Sequence, residues 1–80
     1  MSIAPLPRLS NVNWLNFHNK NCNSMMIGTY STLLIGDSII AGLPRYSNIL
    51  KRCFKLLNAI NCGIGGDRVE NILWRCKNLP

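Results

Sequence analysis

Thr32-Leu33-Leu34-Ile35-Gly36-Asp37-Ser38 decides how this chain reads. Four residues that suit a buried strand run straight into a glycine and a small polar pair. A second apolar segment, Ile39-Ile40-Ala41, follows at once. A short apolar run that stops on such residues has the pattern of a buried strand emptying into a tight turn. With a helix beginning there, Ser38 stands at its N-terminus, where unpaired backbone N–H groups favour negative charge. A hydroxyl at the carboxyl end of a central strand, beside such donors, is placed as a nucleophile is. The plainer reading of these residues alone is that Asp37 or Ser38 caps the helix.

Downstream, residues 39–43 stay apolar until Gly42 and Pro44 break the pattern. From Arg45 a helical period predicts a helix that lays Ile49, Leu50, Cys53, Phe54 and Leu57 on a sheet, with Lys51, Arg52 and Lys55 toward solvent. Residues 58–62 read as a second short strand ending in Gly63-Ile64-Gly65-Gly66. In the next helix Asp67 and Glu70 have the spacing of a capping box. Val69, Ile72, Leu73 and Cys76 form the stripe expected to cover the sheet, while Arg75 and Lys77 suit the negative end of the helix dipole. The order strand–turn–helix–strand–glycine turn–helix is the first β-α-β-α half of a doubly wound, flavodoxin-like parallel sheet, ending before a third strand.

Upstream the signal fades. Residues 1–24 read as an irregular, Asn-rich leader. Trp14 and Phe17 share one apolar patch at helical spacing, and the composition shift at residue 25 marks the start of the foldable unit, 25–80. Eighty residues allow one small domain, near the size at which a single core becomes self-sufficient. The net charge of +6 suits an acidic partner, but the basic residues are scattered from Arg8 to Lys77 and only Lys51-Arg52 are adjacent. Nucleic-acid binding is therefore disfavoured, though kept as an alternative. Cys22, Cys53, Cys62 and Cys76 have no zinc-ligand spacing and read as buried free thiols. A membrane span over 25–43 would bury Asp37 at a cost of about 2.5–3.5 kcal/mol, so none is expected. No secretory start is visible, and a cytoplasmic location is expected.

Gly63-Ile64-Gly65-Gly66 is not a nucleotide loop. A dinucleotide fingerprint needs glycine at position 68, which is Arg68, and no Gly-Lys-Ser/Thr is present. The glycines instead permit close backbone approach, with free N–H groups facing the crevice above the strand ends. Ser38 on one turn and Gly66 on the next make half of an acyl-transfer site, a nucleophile and part of an oxyanion hole.

Leu34-Ile-Gly-Asp-Ser-Ile39 followed by Leu57-Asn-Ala-Ile-Asn-Cys-Gly-Ile-Gly-Gly-Asp-Arg-Val-Glu-Asn-Ile-Leu-Trp-Arg75 resembles blocks I and II of the SGNH-hydrolase (GDSL-type esterase/lipase) family. It looks most like the branch that holds the platelet-activating-factor acetylhydrolase catalytic subunits, and the resemblance spans residues 32–79. It implies the SGNH-hydrolase fold and hydrolysis of a small-molecule ester or acetyl-ester through an acyl-serine, with no cofactor. It also implies Ser38 as nucleophile and oxyanion-hole N–H, and Gly66 as the second oxyanion-hole N–H. Ile39 departs from the family's usual leucine. The family's Gly-x-Asn block and Asp-x-x-His block have no counterpart before Pro80. The single histidine, His18, precedes the serine and reads as a surface or loop residue. The chain is thus expected to be an N-terminal part of such an esterase, inactive alone, with a homo- or heterodimer left open. A non-catalytic relic or interaction module is the remaining alternative.

Overall fold

A computed structural model describes residues 3–80. In chain order the elements are α1 (Trp14–Ile27), β1 (Thr32–Gly36), α2 (Ser38–Tyr46), α3 (Asn48–Leu56), β2 (Ala59–Gly63) and α4 (Val69–Lys77). The two strands pair in parallel, from Thr32 opposite Ala59 to Gly36 opposite Gly63. Their carboxyl ends are therefore level, and the turns that follow leave the sheet at one rim. The expected β-α-β-α order is present, in an α/β arrangement around a two-stranded parallel sheet. Along β2, Ile60 and Cys62 are buried in alternation, as the two-residue period of a strand requires.

The crossover between the strands differs from expectation. Its helix starts at Ser38 rather than Arg45 and runs through Pro44 before a break at Ser47. Pro44 has no N–H to offer the carbonyl of Ile40, four residues back. That carbonyl instead accepts from Asn61 Nδ2 on β2 at 2.7 Å. A tertiary hydrogen bond thus offsets the one the proline removes. Ser47 then caps α3, its Oγ accepting from Leu50 N–H at 3.1 Å.

Residues 14–24, expected to be irregular, are part of α1. Asparagine-rich sequence has weak helical preference, so the helix rests on tertiary packing. Trp14 and His18, one turn apart, are its two buried residues; Trp14 is 0% exposed, whereas Phe17 is half exposed. The rings of Trp14 and Trp74 lie 5.2 Å apart, and His18 meets Trp74 edge-on at 5.2 Å. His18 is thus buried rather than at the surface.

Helix α4 also turns a different face inward. Asn71 and Arg75 are buried, while Val69, Leu73 and Cys76 of the expected stripe are exposed. The cause is the Arg75 side chain. Its Nε donates to Asp67 Oδ2 at 2.9 Å, one terminal nitrogen donates to Gly36 O at 2.9 Å, and the other to Cys62 O. Asp67 Oδ1 accepts from Trp14 Nε1 at 2.8 Å. With its carboxylate in the interior, Asp67 does not cap α4; Asn71 Oδ1 does, accepting from Arg68 N–H at 3.0 Å. Cys53 is exposed as well, so of the four thiols only Cys62 is fully buried, and burial pushes its pKa up. No helix among the described residues is long and apolar enough to cross a membrane.

Two outcomes follow from this core. Arg75→Met leaves the Asp67 carboxylate buried without its partner and should cost about 3–5 kcal/mol. Asp67→Leu/Arg75→Met should lose less, because neither of the two fully buried charges stays behind; urea unfolding of both variants checks the order. Burial also lowers the pKa of His18; the hydrogen bond with the Asn78 backbone opposes this and the Arg75 charge adds to it. A base whose folded pKa lies below its unfolded one takes up its proton on unfolding, so stability is full above the unfolded value. It falls as pH drops through about 6.5 and levels off below the folded pKa. His18→Phe should flatten that part of the stability–pH curve.

Candidate active site

Gly36 ends β1 against the first turn of α2, and Asp37 sets the entry. Its Oδ1 accepts from Ile39 N–H at 3.0 Å and its carbonyl accepts from Ala41 N–H at 3.0 Å. The Asp37 side chain is therefore the helix cap, as the plainer sequence reading had it. Ser38, the first residue of α2, is exposed at the rim.

The second turn is fastened beside it. Ile64 N–H donates to Gly36 O at 3.0 Å, which carries the strand pairing one residue past β2. Asn61 Oδ1 accepts from Gly63 N–H at 2.9 Å while its amide nitrogen holds Ile40, so one side chain links β2 to α2. Ile64-Gly65-Gly66-Asp67 closes as a β-turn, with Asp67 N–H 3.3 Å from Ile64 O. Gly66 has φ +82°, the value a type II turn requires at its third position and one that favours glycine. A side chain built on Gly65 would touch Ser38, Cβ to Cβ at 3.9 Å. Ser38 and the 65–66 turn are therefore neighbours. Among the described residues, no hydrogen bond from the Gly66 N–H is made.

Sequence reasoning brought Ser38 and the glycine turn together but missed two groups around them. Arg8 lies over the turn, donating to Gly65 O at 2.9 Å, and a Cβ on Gly66 would come within 2.8 Å of its guanidinium. Arg75 holds the carbonyl of Gly36 from below. A groove of about 260 Å³ beside the pair is lined by Phe17, Ala41, Arg45, Gly63, Ile64 and Gly65. The structure does not bring His18 to Ser38. The imidazole is stacked on Trp14, and its Nε2 lies 3.5 Å from Cys22 Sγ.

A serine, a short helix N-terminus and a glycine turn therefore meet at one rim of the sheet. A methyl group on Gly63 would sit 2.9 Å from Asp37 O and 2.7 Å from Ala41 Cα. Gly63→Ala should thus cost about 1–3 kcal/mol and shift the amide resonances of residues 37–41, as two-dimensional NMR of the variant would record.

No family model matches the chain. Over 65 residues, 81% of this chain, it is 35% identical to platelet-activating factor acetylhydrolase IB subunit alpha2 of Homo sapiens and of Gallus gallus. It is 32% identical over the same length to subunit alpha1 of Rattus norvegicus. The match spans 28% of each of these relatives, so the chain corresponds to little more than a quarter of their length. The similarity supports a relation to these acetylhydrolase subunits.

Proposed function

We propose, taking that relation as premise, that this chain carries the nucleophile half of a serine ester hydrolase of the SGNH type. Ser38 Oγ attacks the carbonyl carbon of an ester or acetyl-ester. Its proton passes to a general base, the carbonyl π electrons move onto oxygen, and the oxyanion faces the N–H groups of Ser38 and Gly66. Collapse breaks the acyl–oxygen bond, the alcohol leaves with a proton, and water then frees the acyl group from the serine. The groove beside Phe17 is where the acyl group would lie.

What supports this reading is the level register of β1 and β2, because it puts Ser38 against Gly65. The remaining parts are those the family resemblance implies: an asparagine donor from a Gly-x-Asn block, and the base with its orienting acid from Asp-x-x-His. His18 is held in the interior and does not replace them. Loss of the histidine base in a serine hydrolase can cost about 10⁶ in kcat, so residues 1–80 alone should turn over esters at close to the background rate. The relatives are named as subunits, and exposed Val69 and Leu73 on α4 favour association with further polypeptide, either another subunit or the rest of a longer chain.

A chimera tests the assignment. Residues 1–80 replace the matching N-terminal part of the human alpha2 subunit, and acetyl-ester hydrolysis is measured. The folded chimera should be active and Ser38→Ala should reduce kcat by about 10⁴-fold or more. A folded chimera whose activity survives Ser38→Ala would remove Ser38 from the reaction.

A further inference from the structure

We infer that Arg8 is a positioning residue that fixes the direction of the Gly66 N–H; this rests on the reading of Gly66 as an oxyanion donor. The Gly65 carbonyl and the Gly66 N–H belong to one peptide unit. No peptide bond among the described residues is cis, so in this unit the two groups point in opposite directions. Whatever holds the carbonyl therefore aims the amide.

That unit is the middle peptide of the 64–67 turn. Type I and type II turns differ by a flip of this peptide: the second residue's ψ and the third residue's φ change together, and the N–H reverses. Two consecutive glycines leave both orientations sterically open. The selection of φ +82° at Gly66 thus needs a cause outside the turn. Arg8 supplies it. Its guanidinium donates to Gly65 O at 2.9 Å, and the group is itself located by Asp67 Oδ1 at 3.7 Å.

The segment that carries Arg8 is tied to α4 at its first turn. Leu6 N–H donates to Glu70 O at 3.0 Å, and Asn71 Nδ2 donates to Leu6 O at 3.0 Å. The Arg8 side chain is 27% exposed, whereas the Asp67 side chain is completely enclosed with Arg75 as its main partner. Arg8 is thus dispensable for the core and well placed for the turn. A cationic donor on the carbonyl also polarises the peptide and makes its N–H a stronger donor.

Two readouts test the inference. In the 80-residue chain, labelled with ¹⁵N, the Gly66 amide should give one sharp resonance. Arg8→Met should broaden or shift it while resonances of β2 and the second half of α4 stay in place, and Arg8→Lys should restore part of the original signal. In the active chimera, Arg8→Met should lower kcat about 10- to 100-fold with KM within about two-fold, a fraction of the loss seen when an oxyanion donor is deleted. An unmoved Gly66 resonance overturns the role of Arg8, and so does an unchanged kcat in a chimera that still depends on Ser38. A Gly66 signal that moves in the 80-residue chain, with a chimera insensitive to Ser38→Ala, keeps Arg8 as the turn's clamp but refutes its part in catalysis, and with it the serine reading.

Discussion

Arg75 is 1% exposed, and its guanidinium is shared among three parts of the chain. It donates to the last residue of β1, to the penultimate residue of β2, and to Asp67 at the head of its own helix. Asp67 in turn receives the indole of Trp14, which brings α1 to the same point. With few apolar residues fully buried, this polar knot does what a larger hydrophobic core does elsewhere: it fixes which element sits beside which. Replacing a buried ion pair by apolar side chains is often neutral or stabilising, so the value of such a pair is positional. Here the position it fixes is the level of the two strand ends. Among the described residues, no buried side-chain nitrogen or oxygen is left without a partner, so the knot is complete.

From that level rim the candidate chemistry follows with little further machinery. Ser38 and the 65–66 turn are neighbours because the residues before them are clamped in register. In the proposed function the polar groups offered to a substrate are a hydroxyl and backbone amides. Amides are aimed by the backbone itself, so their direction depends on turn type and on what holds the carbonyls. Under that proposal Asn61, Arg75 and Arg8 matter to the site without touching it. Each secures a carbonyl near the rim: Ile40, Gly36 and Gly65 respectively.

Local pattern carried the strands and the turns into view. Thr32–Gly36 and Ala59–Gly63 are short apolar runs closed by glycine, and that signal depends only on neighbours in sequence. Asp37 as a cap was legible for the same reason. The inward face of α4 was not, because the rule that apolar residues face the core gave way to a buried pair eight positions apart, Asp67 and Arg75. The composition of α1 hid its helix, since a tract of asparagines becomes helical only when Trp14 finds Asp67 and Trp74. Pro44 misplaced the start of the crossover helix because its compensating donor, Asn61, lies on another element. Arg8 had no sequence signal at all. Its partner is a backbone oxygen 57 positions away.

The turn after β1 and the turn after β2 stand side by side. A cross-link reads it most directly, because a 3.9 Å approach of Cβ positions at 38 and 65 lies within disulfide range. Ser38→Cys/Gly65→Cys, made with Cys53→Ser and Cys76→Ser to remove the exposed thiols, is oxidised gently at low protein concentration and mapped by peptide mass spectrometry. An intramolecular 38–65 bridge should form in nearly all molecules. Two free, alkylatable thiols at 38 and 65 in a protein with unchanged circular dichroism would contradict it.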